Sequence, residues 1–210
     1  MGSISKNVYQ SLTKSRVNAW AIWDEKFSEK EKPRRQRFEE VAEYLNPNVI
    51  FLGLNPSKDL FENNLINFHS GSSNDKKLKK AVQGDNKDDA VCPNLLGGFM
   101  TDIVVDESVA DSTYIVVKDR DTKRLEEKLN ILGQKEYHLI CFGNKAYNAV
   151  QSWLLQEKED ASGILYGQQK ELDLDINIYR VVHFAATVKT EKFINQLKTV
   201  DRLVMSKNSL

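Results

Sequence analysis

Four polar side chains stand where apolar runs stop. Asn55 follows "VIFLGL", Asp102 closes "GGFMTD", Asn144 follows "LICFG", and His183 ends "YRVVH". An amide can hold a water by its oxygen without any shift in pKa. A carboxylate only accepts hydrogen bonds, and a neutral imidazole donates one and accepts another. Each residue also has a local reading. Asn-Pro is a frequent turn opener, so Asn55-Pro56 can be a turn alone. Asn144 can be the N-cap of the helix "KAYNAVQSWLL". Asp102 can be a structural carboxylate capping a turn, and His183 a satisfied strand histidine.

What these residues can do together depends on the elements that carry them. "VIFLGL" is a continuous apolar run of the kind buried on both faces of a sheet. "GGFMTDIVV", "YHLICFG" and "INIYRVVHF" supply three more strands. Between them, "RLEEKLNILGQK" places Leu125, Leu129 and Leu132 along one helical side, and Gly133 is suited to end that helix. "NKAYNAVQSWLLQ" and "TEKFINQLKTVDRLV" read as further helices. Upstream, "NVYQSLTKSRVNAWAIWDEKF" has apolar residues at helical spacing, the charged connector "SEKEKPRRQ" follows, and "RFEEVAEYL" is a second helix. Ser57 to Pro93 has a weak pattern, with a long loop and a short lysine-rich helix.

Alternating strands and helices predict an α/β fold: a three-layer α/β/α sandwich around a central, mainly parallel, four-stranded sheet. One domain over residues 1–210 is expected, with an N-terminal helical segment over about residues 1–46. Ligands of such sheets bind beyond the carboxyl ends of the strands, which is where the four polar residues fall.

Composition removes other classes. The 30 basic and 30 acidic side chains cancel, so no global field steers the chain to nucleic acid. "KKLKK" (Lys76 to Lys80) could grip phosphates locally, or be a solvated helix face. Cys92 and Cys141 stand far apart and cannot form a four-thiolate site, and the three histidines lack metal-ligand spacing. No metal and no cofactor are expected. There is no G-x-x-x-x-G-K-[ST], G-x-G-x-x-G or G-x-S-x-G motif. No apolar stretch reaches membrane-spanning length, and "MGSISKNVYQ" lacks a secretory core. A cytoplasmic monomer that does not engage membranes is the expectation.

The ordered motifs carry a resemblance. "VIFLGLNPS" resembles the first motif of the uracil-DNA glycosylase superfamily, in the form found in its mismatch-specific and single-strand-selective branches. "GGFMTDIV" is similar to the second strand of that superfamily, "LICFGNKAYNAV" to its strand-to-helix junction, and "VVHF" to the start of its histidine-bearing final motif. Order and rough spacing agree from Val49 to Val188, about two-thirds of the chain.

The resemblance implies a glycosylase fold, a flipped base in a pocket, and DNA carrying a deaminated or mismatched base as partner. Asn55 matches the asparagine that orients the hydrolytic water. His183 matches the histidine that hydrogen-bonds the base carbonyl as negative charge grows. Phe68, in "INFHSG", falls where an aromatic ring stacks on the base, and Asp102 at or near the base-reading asparagine. Leu54 and Asn144 complete the implied base pocket. Ser57, Lys58, Thr187 and Lys189 stand where the DNA backbone would be held.

The chain departs from the pattern in three places. Phe184 and Ala185 follow His183 in place of Pro-Ser, and Ser57 replaces a glycine common after Asn-Pro. Asp102 is the sharpest departure. Ionised, it accepts from uracil N3–H but repels O4, and its charge opposes a developing anion. Protonation, a different orientation, or a base edge rich in N–H donors would each resolve this. Two readings follow: a glycosylase, or a nucleotide- or nucleic-acid-binding module that does not cleave.

Overall fold

Val49, Ile50, Phe51 and Leu52 are wholly buried, as a strand with apolar residues on both faces requires. The computed structural model describes residues 4–24, 36–56, 65–107, 112–154, 165–169, 174–187 and 189–207. The strands are β1 (Ala19–Trp20), β2 (Asn46–Gly53), β3 (Gly98–Asp102), β4 (Glu136–Phe142), β5 (Leu165–Gln169) and β6 (Leu174–Val181). They form one six-stranded sheet in the order β1-β3-β2-β4-β6-β5. The four inner strands run parallel, and β1 and β5 flank them antiparallel. The expected four parallel strands are therefore the middle of a wider sheet.

The helices are α1 (Lys6–Thr13), α2 (Phe38–Val41), α3 (Ser73–Val82), α4 (Asp119–Leu132), α5 (Asn144–Leu154) and α6 (Thr190–Lys207). Each face of the sheet has its own core. One face packs Ile50, Leu52, Leu139 and Ile178 against Leu12 of α1, Leu125, Leu129 and Leu132 of α4, and Val150 of α5. The other packs Phe51, Met100, Ile140 and Val181 against Leu78 of α3 and Phe193, Leu197 and Val200 of α6. Helices thus cover both faces of a mainly parallel sheet. Gly133 ends α4 with φ of 67°, its N–H donating to Leu129 O at 3.0 Å. Among the described residues no helix is long and apolar enough to cross a membrane.

The N-terminal segment differs from expectation. The helix stops at Thr13, and Ala19–Trp20 is an edge strand. Every residue from Val17 to Trp23 is buried. An amphipathic helix buries one stripe, so an unbroken buried run is better served by extended backbone between layers. Ala21 N–H donates to Gly98 O at 2.8 Å, and Trp23 N–H to the Gln83 side chain at 2.8 Å. The charged connector around Pro33 falls almost entirely outside the described residues.

Candidate functional site

Register brings the strand ends together. Gly53 pairs with Asp102, Leu52 with Cys141, and Phe142 with Val181, so β2, β3, β4 and β6 finish along one rim. Asp102 is buried there. Its Oδ2 accepts from Asn67 Nδ2 at 2.6 Å, and the same amide nitrogen donates to Val17 O at 3.3 Å. Both amide hydrogens are thus engaged, and the Asn67 backbone N–H is held by Arg16 O at 2.9 Å. Among the described residues no donor reaches Oδ1 of Asp102.

Gly53 makes room for that carboxylate. A Cβ on Gly53 would overlap Asp102 Oδ1 and lie 3.5 Å from Phe68 Cζ. Asp102 and Phe68 therefore close over the same face of β2. Phe68 has φ of 61°, a left-handed backbone that a bulky residue seldom adopts and that costs about 1–2 kcal/mol. The conformation is held from both sides: Trp23 Nε1 donates to Phe68 O at 3.0 Å, and His69 N–H closes the turn onto Ile66 O at 3.1 Å.

Behind Asp102 a polar thread crosses to the opposite layer. Lys128 Nζ of α4 donates to Thr101 Oγ1 at 2.7 Å, Thr101 donates to Asn18 Oδ1 at 2.8 Å, and Asn18 Nδ2 donates to Leu12 O at 2.8 Å. Burial pushes the Asp102 carboxyl up to about 7, although the Asn67 hydrogen bond and the Lys128 charge pull the other way. Burial lowers the Lys128 ammonium to about 8, against the attraction of Asp102.

His183 lies just beyond β6. Its Nδ1 accepts the Ala185 N–H at 3.1 Å, so the neutral ring carries its proton on Nε2, where it can be donated. Burial lowers the pKa of this imidazole, which favours that neutral form. The ring stacks on Phe184 with centroids 4.6 Å apart, and meets Phe142 edge-on at 6.1 Å. Phe142 is the hub. It also contacts Phe68 at 6.4 Å, Phe184 at 5.0 Å and Phe193 at 6.3 Å. One lysine of the basic run reaches this cluster, with Lys77 Nζ 5.7 Å from the Phe193 centroid.

The structure brings Phe68, Asp102 and His183 into one neighbourhood of carboxyl-edge residues, joined through Gly53 and Phe142. Asn55 stands two residues beyond Gly53, with its Nδ2 donating to Pro56 O at 3.1 Å, as a turn residue does. Phe68 is 4% exposed, so its ring is packed among other rings. Leu54 is not brought in: its side chain belongs to the opposite core, with Leu125 and Val104. Asn144 is the first residue of α5 and its side chain is exposed. Thr187 and Lys189 are exposed on the loop after His183. Ser57 and Lys58 lie outside the described residues.

A groove of about 550 Å³ runs along β6 and α6, between Tyr179, Val181, Lys189, Gln196 and Val200. It includes Lys189 but none of Asn55, Phe68, Asp102 or His183. The titratable groups and the rings described above meet instead at the rim.

Sequence reasoning did not single out Asn67, Phe142 or Lys128, and named Phe184 only as a departure from Pro-Ser. Lys128 left a signal, since it falls on the stripe marked by Leu125 and Leu132, three and four residues away. Asn67 had none beyond adjacency to Phe68. Among the described residues no group of three or more His, Cys, Asp or Glu is placed to hold a metal ion. Compared with known proteins, the chain matches no family model and no curated sequence.

Proposed function

We propose that the chain is a DNA glycosylase of the uracil-DNA glycosylase type, hydrolysing the N-glycosidic bond of a flipped, deaminated or mismatched base. The observation that carries this reading is the meeting of a buried carboxyl, a strained aromatic residue and a neutral donor histidine at one sheet rim, beside Asn55. In the reaction, water attacks C1′ of the sugar, the bond from C1′ to the base nitrogen breaks, and its electron pair leaves with the base. The water's second proton then neutralises the base anion. Asn55 orients the water by its amide oxygen, and His183 Nε2–H stabilises charge on the base. Aromatic rings hold the flipped base, a contribution of about 1–3 kcal/mol. Thr187 and Lys189, with Ser57 and Lys58, contact the DNA backbone. No cofactor enters this reaction.

A second reading is favoured by two observations. The Asn55 amide is engaged with Pro56 O, and Phe68 is enclosed by rings. A module that binds a nucleotide or nucleic acid without cleaving it would need neither a poised water nor an open stacking face. Incubation with single- and double-stranded oligonucleotides containing uracil, hypoxanthine, xanthine or a mismatched thymine, followed by alkali, separates the two. Strand breaks that vanish in Asn55→Ala support the glycosylase. Saturable, salt-sensitive binding without breaks supports the module.

A further inference from the structure

Asp102 holds its two carboxylate oxygens in unequal settings. Oδ2 is committed to Asn67, whose amide is itself fixed by Val17 O. Oδ1 lies over the bare Cα of Gly53, beside Phe68, without a donor among the described residues. A carboxyl anchored at one oxygen has one atom left for recognition. Ionised, that atom only accepts; protonated, it donates, because Oδ2 is already accepting.

We propose that Asp102 reads the bound base through Oδ1 alone, and that the proton on this atom decides which base edge the site takes. With the proton absent, Oδ1 selects a base presenting an exocyclic amino group and repels a carbonyl in the same place, which favours the adenine or cytosine kind. With the proton present, it selects the base whose carbonyl oxygen stands in place of that amino group, of the uracil or hypoxanthine kind. The inference rests on the nucleobase reading of the site and names the substrate class that reading leaves open.

The surroundings place the exchange near neutrality. Burial drives the Asp102 carboxyl up to about 7. From α4 the charge acting on it is Lys128, and from the preceding loop the dipole is Asn67. β2 contributes Gly53, which has no charge, and on the β6 side the Phe142 ring lies between Phe68 and His183. Burial lowers the pKa of the His183 imidazole, which favours its neutral form. No other charged group among the described residues acts on this carboxyl.

The test measures dissociation constants for single-stranded oligonucleotides carrying one central uracil, hypoxanthine, adenine or cytosine in an otherwise abasic context, at about pH 6 and about pH 8.5. In the native chain the preference for oxo over amino bases is expected to fall by about tenfold or more from the lower to the higher pH, the effect of one mispaired buried hydrogen bond. In Asp102→Asn, whose amide presents the same groups at both pH values, the preference should not move. Isothermal titration of the native chain, in two buffers of different ionisation enthalpy near neutrality, gives an independent reading. Proton uptake is expected with the oxo bases and proton release with the amino bases. A preference that ignores pH in the native chain, or that shifts equally in Asp102→Asn, overturns the inference while leaving a base site in place. No binding by any oligonucleotide at either pH removes the base site and this inference together.

Discussion

Replacing Asp102 with asparagine keeps the shape of the side chain and takes away its ionisation. In the folded protein this carboxyl titrates at about 7, against an ordinary value of 3.8. Below about pH 4 it is protonated in both folded and unfolded chains and has no effect on the balance. From there to about pH 7 the unfolded chain ionises freely while the fold holds the proton, and native stability declines by about 1.4 kcal/mol per pH unit. The accumulated loss is about 4 kcal/mol, and it stays constant above neutrality. Asp102→Asn carries no such loss. Its stability minus that of the native chain, from denaturant curves at several pH values, should rise by about 4 kcal/mol between about pH 4 and pH 7 and then level off. Taking the difference matters, because Asp75 and Asp201 are also raised by burial and His138 is lowered. Their slopes are common to both proteins and cancel. A difference that stays flat to within about 1 kcal/mol would refute the reasoning, since the carboxyl would then ionise in the fold as it does outside it.

Three further outcomes are expected. Gly53→Ala places a methyl on Asp102 Oδ1 and should lower stability by about 1–3 kcal/mol in denaturant titrations, with the double variant Gly53→Ala, Asp102→Ala costing less than the sum of the two single changes. His138, pulled down to about 4 chiefly by burial and secondarily by Lys207, refuses a proton that the unfolded chain takes up below about pH 6.5. Native stability should therefore fall by about 3 kcal/mol from pH 6.5 to 4, and His138→Gln should remove that part of the acid limb followed by circular dichroism. Asn67→Ala strips Oδ2 of its donor, so the Asp102 midpoint read by carboxyl carbon NMR should move above the native one; a midpoint at or below the native one would show that Asn67 does not favour the carboxylate.

The inner strands were legible because Val49–Leu52 and Leu139–Phe142 are apolar without interruption, which only a doubly covered sheet satisfies. The stripe of Leu125, Leu129 and Leu132 and the stop at Gly133 placed α4 for the same kind of reason. The N-terminal arm was misread because Val17–Trp23 mixes helical spacing with complete burial, and periodicity alone cannot tell a buried helix from an edge strand. The strand-end rule located Asp102 and His183, since it depends on sheet polarity and on nothing finer. It could not separate the two faces of β2, so Leu54 and Gly53 were not distinguished, although they point into different layers. Nor could it supply Asn67, whose partnership with Asp102 spans 35 positions and depends on a left-handed turn at Phe68.

Three consecutive residues of the arm before β1 hold the rim in place. Arg16 O receives the Asn67 backbone, Val17 O its side chain, and Asn18 Oδ1 the Thr101 hydroxyl. Asn67, whose hydrogen bond favours the Asp102 carboxylate, is thus held by a segment outside the sheet's four inner strands. Shortening the chain to begin at Val17 would remove Arg16 O, the acceptor of the Asn67 backbone N–H.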